Sequence, residues 1–317
     1  MSIGPEAAIS NRAGSVRRPG RSRWERLAYN ENFWAYLFLT PTIIGLLVFS
    51  VGPILAALYF SLTKWNVVSA PIWQGVANYQ KLLRDALFWT ALRNTFRYML
   101  GFIPLSMSVS LVLAVALNQR VRLQSLFRTL YFTPSVCSIV AMAIVWRLMF
   151  DRDLGLLNYL LGFVGVERVP WLMTPRTAMP AVIIMSVWQG IGFPTLLWLA
   201  GLQGVPQSYY DAAEVDGAGR WAIFRYVTWP FLTPTGFFML ILACINSFQV
   251  FQQTFILTQG GPRRSTYTLV YQIYDKAFRN FEMGYACALA YVLFAFVLVL
   301  TFFQFRLQGR WVNYEIA

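Results

Sequence analysis

Long stretches without a charged side chain alternate with short polar segments along the chain. Six stretches run for at least 18 residues each: 32–63, 98–119, 129–146, 177–210, 226–262 and 283–305. A helix needs about 20 apolar residues to cross the hydrocarbon core of a bilayer. We therefore predict an all-α membrane protein with six transmembrane helices, near residues 34–62, 92–118, 129–150, 178–202, 231–257 and 284–307.

Composition supports this prediction. Hydrophobic residues make up 57% of the 317 residues and charged residues only 12%, whereas a soluble domain carries about 25% charged residues. In a soluble chain the net charge of +13 would indicate nucleic-acid binding. Here the basic residues flank apolar stretches, which is typical of contacts with lipid headgroups. We therefore expect membrane lipid as a partner and no nucleic acid.

The remaining segments define the predicted domain organisation. Residues 1–32 are predicted to form a disordered basic tail, residues 33–310 a six-helix transmembrane domain, and residues 311–317 a short C-terminal tail. An even number of spans places both tails on one side of the membrane. Six arginines precede the first span and only Lys64 soon follows it, which predicts cytoplasmic tails. A further uncharged run, 154–166, is too short to span and is expected at the membrane interface.

The sequence offers little for catalysis. It contains no histidine, and its three cysteines lie inside apolar stretches, so histidine-based triads and the usual metal sites are not expected. It has no GxSxG, HExxH or P-loop motif. We predict that the chain is not an enzyme and that, if it drives transport, another polypeptide hydrolyses the ATP.

Polar positions inside the predicted spans are candidates for a transport pathway, because polar groups in lipid are costly and tend to face the protein interior. The candidates are Ser135 and Ser138 in the third span, Ser186, Gln189 and Gly190 in the fourth, and Asn246 and Gln249 in the fifth. With Gln253, the last two are spaced i, i+3 and i+7, which predicts one stripe on a continuous helix. No Asp, Glu or Lys lies at the centre of a span, which favours a neutral hydroxylated solute. The alternative is that these groups join helices to one another.

The segment Tyr209–Pro230 is polar and lies between two long apolar stretches. It holds three acidic residues within six positions and then two glycines: Asp211, Glu214, Asp216, Gly217 and Gly219. On a helix, Tyr209, Ala213 and Gly217 share one face with Ala212 beside them, and the acidic residues occupy another. A short helix of this kind suits a cleft in another protein; the alternative is an ordinary solvated loop.

The same segment resembles the cytoplasmic EAA loop of ABC-importer permease subunits. The family pattern is E-A-A, three residues, G, nine residues, I, any residue, L-P. Here it reads Asp211-Ala212-Ala213, Gly217, Val227 and Trp229-Pro230, with Asp for Glu, Val for Ile and Trp for Leu. Three further stretches resemble the carbohydrate-uptake branch, with its maltose- and glycerol-3-phosphate-type permeases: Asn78-Tyr79 with Asn94-Thr95, Arg128–Phe132 leading to Pro134, and Leu257–Pro262.

The resemblance implies the type I ABC importer permease fold in a cell inner membrane, with a cytoplasmic coupling loop at 203–230. It implies three partners: a second, homologous permease subunit, a dimer of ATPase subunits that binds ATP and Mg²⁺, and an extracytoplasmic solute-binding protein. No cofactor is expected in this chain. A coupling helix over 207–218 is expected to meet the ATPase through Tyr209, Asp211, Ala212, Ala213, Glu214 and Gly217.

The resemblance also bears on the cargo. In relatives with a known sugar site, the spans matching the third to fifth predicted helices supply the contacts, so the span residues named above are candidates for the solute pathway. We expect a sugar or oligosaccharide. One alternative is glycerol-3-phosphate or a polyol derivative, which calls for cationic residues facing the pathway. The other is a stand-alone secondary carrier, which works without an ATPase.

Overall fold

The structure is a computed structural model that describes residues 31–119 and 124–313. Within them the chain is helical apart from one two-stranded hairpin and short connections. Most of the predicted N-terminal tail lies outside the described residues, and so do the last four residues of the predicted C-terminal tail. The first helix begins at Glu31, at the end of the predicted tail.

The elements follow in this order. The first are α1 Glu31–Leu46, a π-helical turn Leu47–Val51, α2 Gly52–Ser61, β1 Thr63–Lys64, β2 Ile72–Trp73, α3 Ala77–Arg84, α4 Ala86–Asn118, α5 Gln124–Val136, α6 Ile139–Met149 and α7 Leu156–Gly162. The others are α8 Pro175–Gly190, α9 Gly192–Gln203, α10 Gln207–Val215, α11 Arg220–Ile223, a π-helical turn Phe224–Thr228, α12 Trp229–Phe248, α13 Gln252–Thr258, α14 Leu269–Tyr274, a π-helical turn Asp275–Arg279 and α15 Met283–Gln308.

The described residues contain enough apolar helix for six membrane spans. Four segments are each long and apolar enough to cross a membrane: Trp34–Ser61, Ala86–Asn118, Arg220–Phe248 and Met283–Gln308. Two pairs pass the same test together but are bent, α5 with α6 by 102° and α8 with α9 by 52°. If each pair is one span, the total is the predicted six.

The spans predicted near 129–150, 178–202 and 231–257 are each interrupted. The third is interrupted between Val136 and Ile139, and the fourth at Ile191. The fifth ends at Phe248, and α13 begins separately at Gln252. These interruptions matter for function because they lie beside the polar residues proposed for the pathway.

The second span begins earlier than predicted, at Ala86. The carboxylate of Asp85 accepts a hydrogen bond from the backbone N–H of Leu87 at 2.9 Å, which caps the first turn of α4. Its other oxygen accepts hydrogen bonds from the side chains of Gln272 at 3.1 Å and Tyr285 at 2.8 Å. One carboxylate therefore joins the starts of α4 and α15 to α14.

The chain divides into two compact units, residues 1–56 and 57–317. Among the side chains of the first unit whose burial the structure describes, none is buried, and Trp34, Phe38 and Phe49 are all exposed. In the second unit α4 is central and packs against α8, α9, α12 and α14. At Gly236 on α12 an added Cβ would collide with the buried Trp198 ring of α9, so this glycine permits the close approach of two helices.

Two asparagines that carry the family resemblance have structural roles. The side-chain N–H groups of Asn78 donate to the carbonyl oxygens of Ser61 at 2.8 Å and Thr63 at 2.9 Å. Those of Asn94 donate to the carbonyls of Arg264 at 2.8 Å and Tyr267 at 3.0 Å. Both side chains are buried. They therefore satisfy carbonyl groups of connections that lie at the ends of the spans.

Candidate functional site

The helix α10 forms most of the predicted coupling segment and ends in a Schellman motif. The N–H of Ala218 donates to the carbonyl of Ala213 at 2.9 Å, and the N–H of Gly217 donates to that of Glu214 at 3.0 Å. Gly217 has φ +73°, a conformation that glycine adopts without a steric cost. The glycine at this position therefore fixes where the helix stops and how the chain leaves it.

One side of α10 is packed against the protein and the rest is uncovered. No residue in the helix is buried. Tyr210 and Ala213 are half-buried, and the Tyr210 hydroxyl lies 3.3 Å from that of Thr228 in the π-helical turn before α12. The ring of Tyr209 meets that of Phe231 edge-on at 5.0 Å between centroids. The predicted small-residue face is thus partly turned inward at Ala213.

The exposed surface of the coupling segment is acidic and small. Four of the six residues predicted to meet the ATPase are exposed without contributing to this inward contact: Asp211, Ala212, Glu214 and Gly217. Asp211 accepts a hydrogen bond from the Gln207 side chain at 3.0 Å, which holds the carboxylate on the outer face. This surface is available to a partner.

Three large side chains at the end of α10 and in the segment after it were not predicted as part of the site. Val215 is 88% exposed, Trp221 75% and Tyr226 76%. The Arg225 guanidinium lies 5.7 Å from the centre of the Tyr226 ring. Apolar side chains this exposed, next to an acidic helix, extend the candidate docking surface. They could have been noticed in the sequence as bulky apolar residues within an otherwise polar loop.

A central cavity of about 300 Å³ lies between α4, α8, α9, α12 and α13. Four of the predicted pathway residues line it: Ser186, Gln189, Gly190 and Asn246. Gln253 at the start of α13 lines it as well, and no lining residue carries a charge. The structure thus brings together hydroxyl and amide groups from three helices, a chemistry that can hydrogen-bond neutral solutes.

Three predicted pathway residues do not line this cavity. Ser135 instead joins the two halves of the fourth span, because its hydroxyl donates to the Gln189 carbonyl at 3.0 Å and accepts from the Gly192 N–H at 3.0 Å. Ser138 is exposed at the N-cap of α6 and makes no side-chain capping bond. Gln249 is exposed just beyond α12. The stripe predicted for a continuous fifth helix is therefore wrong.

The side of the cavity formed by α4 was missed. Tyr98, Phe102 and Ser106 are spaced four residues apart and line the cavity together. The rings of Tyr98 and Phe102 are stacked, with centroids 5.4 Å apart and planes 8° from parallel. An aromatic pair at i, i+4 was visible in the sequence, but apolar helices also carry such pairs in ordinary packing.

Comparison with known proteins identifies a matching family and several similar permease proteins. A family model described as "binding-protein-dependent transport system inner membrane component" matches residues 85–312. The probable ABC transporter permease protein YesP of Bacillus subtilis (strain 168) is 39% identical over 290 residues, covering 90% of this chain and 93% of that protein. The lactose transport system permease protein LacF of Rhizobium radiobacter is 36% identical and covers 87% and 94%. The arabinooligosaccharides transport system permease protein AraP of Halalkalibacterium halodurans is 32% identical and covers 86% and 87%.

The fold is shared with solved structures. A chain of a bacterial ABC transporter involved in the import of the acidic polysaccharide alginate superposes with a TM-score of 0.75 at 22% identity, covering 90% of this chain and 98% of that one. The six-span permease architecture predicted from the sequence is confirmed. The chain therefore belongs to the family of binding-protein-dependent inner membrane components, the permease subunits of ABC importers, in which ATP hydrolysis resides in a separate subunit.

Proposed function

We propose that this permease subunit conducts a neutral sugar or oligosaccharide through the central cavity. The observation that carries the proposal is the lining: amides and hydroxyls from four helices lie with aromatic rings, and no lining residue from the described part of the chain is charged. Amides hydrogen-bond sugar hydroxyls, and aromatic faces pack against the apolar faces of sugar rings. The printed names of LacF and AraP, which refer to lactose and arabinooligosaccharides, are consistent with this cargo class.

An anionic polyol phosphate fits the cavity less well. A buried phosphate requires cationic or abundant N–H donors, and the cavity has no lysine or arginine in its lining. Arg97 and Arg147, which lie in the second and third predicted spans, are both exposed and outside the lining. The neutral cargo is therefore favoured.

We further propose that α10 is the coupling helix, seated in a cleft of the ATPase subunit. Its packed side contacts the π-helical turn Phe224–Thr228 and the first turn of α12. α12 in turn supplies Asn246 to the cavity. A displacement of α10 by the closing ATPase would therefore be passed along one helix to the solute.

The other proposed components of the importer are partner subunits. A second, homologous permease subunit forms the other wall of the pathway, and an extracytoplasmic solute-binding protein delivers the solute. The ATPase dimer holds ATP and Mg²⁺, and this chain holds no cofactor. The two termini and the coupling segment face the cytoplasm, an orientation supported by the arginines ahead of the first span.

The cargo proposal is tested by uptake into proteoliposomes that contain the full complex. Radiolabelled lactose and arabinotriose are presented with the cognate solute-binding protein. Asn246→Leu is expected to reduce uptake about tenfold, since one lost hydrogen bond to the solute is worth about 1.4 kcal/mol. Gln249→Leu, a matched change three residues away and outside the cavity, is expected to transport normally. Equal uptake by both variants and the wild type would remove the cavity from the pathway.

A further inference from the structure

The lysines of this chain are confined to one place. The sequence contains only three, Lys64, Lys81 and Lys276, and all its other basic side chains are arginines. Lys64 and Lys81 line one cavity of about 470 Å³, here called the lysine pocket. Lys276 lies 3.4 Å from the carboxylate of Glu282, which lines the same pocket. Two of the three lysines therefore line the pocket, and the third lies beside the carboxylate of a lining residue.

The pocket has rigid walls. Its lining comes from the β1–β2 hairpin, α3 and the start of α15. The N–H of Gly284 donates to the carbonyl of Trp65 at 3.1 Å, and the Trp65 ring stacks on Phe60 with centroids 4.1 Å apart. An added Cβ at Gly284 would collide with the carbonyl oxygen of Thr63. The hairpin is therefore held directly on the last helix, and the pocket is preformed.

The pocket has an excess of positive charge. Glu282 is the acceptor for two lysines, Lys81 at 2.9 Å and Lys276 at 3.4 Å. Both ammonium groups also lie over the Tyr285 ring, at 4.6 and 5.5 Å from its centre. Lys64 is exposed, and no carboxylate of the described residues lies within ion-pair distance of it. The lining itself carries two lysines and one carboxylate, a net charge of +1, and Lys276 beside Glu282 adds a further cation, so the site can take up an anion.

The position of the pocket along the spans indicates the membrane surface. Thr63, Lys64 and Trp65 directly follow the span that ends at Ser61, and Glu282 directly precedes the span that begins at Met283. With six spans, these two ends lie on the same side of the membrane, and the coupling segment between the fourth and fifth spans lies on the other. The pocket is therefore at headgroup level, where Trp and Lys side chains are favoured.

The hairpin beside the pocket exposes apolar side chains. Val68 is 90% exposed, Ile72 65% and Trp73 60%. Large apolar residues this exposed, next to a cationic pocket at headgroup level, match a molecule with an anionic head and an apolar tail.

We propose that the lysine pocket binds the phosphate group of an anionic phospholipid in the leaflet opposite the coupling helix. Lys64 and Lys81 contact the phosphate, and Trp65 and the exposed hairpin side chains contact the glycerol and the first acyl carbons. Lysine suits this task because its ammonium is a compact point charge that binds phosphate without requiring a fixed planar geometry. The bound lipid fastens the β1–β2 hairpin and α15 to the membrane surface.

The proposal is tested by native mass spectrometry of the purified complex titrated with palmitoyl-oleoyl-phosphatidylglycerol. The expected result is one tightly held lipid per chain whose affinity falls about fivefold in Lys64→Gln, since each basic side chain near an anionic lipid is worth about 1 kcal/mol. Lys64 is exposed and forms no ion pair with residues 31–119 or 124–313, so this variant is expected to retain the fold. Lys81→Gln is expected to lower the affinity for the same lipid.

Arg152→Gln is the matched control. It removes an exposed cation from a connection on the same side of the membrane, outside the pocket, and is expected to bind the lipid as the wild type does. Equal lipid affinity in Lys64→Gln and the wild type would overturn the proposal. So would displacement of the lipid by excess inorganic phosphate, which would mark a site for free anions. If Lys64→Gln binds the lipid normally but loses affinity for the solute-binding protein, the pocket is a protein docking site and the lipid proposal is overturned as well.

Discussion

The hydroxyl of Tyr210 lies 3.3 Å from that of Thr228. This contact joins the exposed helix α10 to the turn that leads into α12, and α12 carries Asn246 into the central cavity. It is a polar link between the surface proposed to meet the ATPase and the helix proposed to meet the solute. Its removal should therefore affect the coordination of the two events more than either event alone.

We expect Tyr210→Phe to lower uptake per ATP hydrolysed while the subunits stay assembled. The lost hydrogen bond is worth about 1 kcal/mol, so the coupling ratio should fall by about fivefold. Uptake and ATPase rates are measured together in proteoliposomes. Tyr159→Phe on α7 is the control, because it lies outside both proposed surfaces and keeps its ring contact with Phe163. A coupling ratio unchanged in Tyr210→Phe would contradict the link.

Gly217→Ala is expected to impair transport because of backbone strain. The position has φ +73° and no atom near an added Cβ, so the cost comes from the left-handed conformation itself, about 1–2 kcal/mol for a residue with a Cβ. Asparagine adopts this conformation more readily, so Gly217→Asn should recover much of the uptake. If alanine and asparagine behave alike, the Schellman geometry is not what the transporter requires.

Gly284→Ala is expected to lower the melting temperature of the purified complex. The new methyl group would collide with the Thr63 carbonyl and push the β1–β2 hairpin off α15, and overpacking of this kind costs about 1–3 kcal/mol. Gly162→Ala, at an open position with no atom within 4 Å, serves as the control and should melt like the wild type. Identical melting of both variants would show that the hairpin can shift freely.

Glu282 should make the stability of the complex sensitive to acid. Burial alone would raise the pKa of this carboxylate, but hydrogen bonds and charges from Lys81 and Lys276 outweigh burial and lower it. A lowered pKa in the folded state adds stability that is complete above the ordinary carboxyl pKa and is lost as the pH falls through the folded-state value.

The measurement is the melting temperature of the wild type and Glu282→Gln across pH. The wild type should be more stable at neutral pH, and the difference should vanish below the ordinary carboxyl range. The side chain is partly exposed, so the gap should correspond to about 1 kcal/mol or less. A gap that is constant with pH would exclude the ion pairs as its cause.

The sequence predicted the spans because uncharged length is a direct consequence of bilayer thickness. It did not reveal the breaks in the third and fifth spans. The interruption around Gln249 contains neither glycine nor proline, and Pro134 lies two residues before the end of α5 at Val136 without indicating the 102° bend that follows. Gly190 and Gly192 did flank the bend at Ile191, where Ser135 supplies a hydrogen bond that no local pattern reveals.

Part of the candidate site could also be predicted from the sequence, and part could not. Gly217 and Pro230 located α10 because their spacing reflects a helix end and a helix start. Ser186, Gln189 and Asn246 could be found because polar groups stand out in apolar helices. Tyr98 could not, because only the approach of α4 to α8 and α12 distinguishes a cavity-lining aromatic ring from one that packs in the core.

All three lysines lie in or next to the lysine pocket. Reagents that react with amines can therefore label this part of the chain selectively. A membrane-impermeant amine-reactive reagent would find side-chain amines only at Lys64, Lys81 and Lys276, on the face opposite the coupling helix. Labelling of intact cells would therefore report which way the protein is inserted. A fluorophore attached there would mark this one surface of the importer, leaving α10 and the central cavity free of dye.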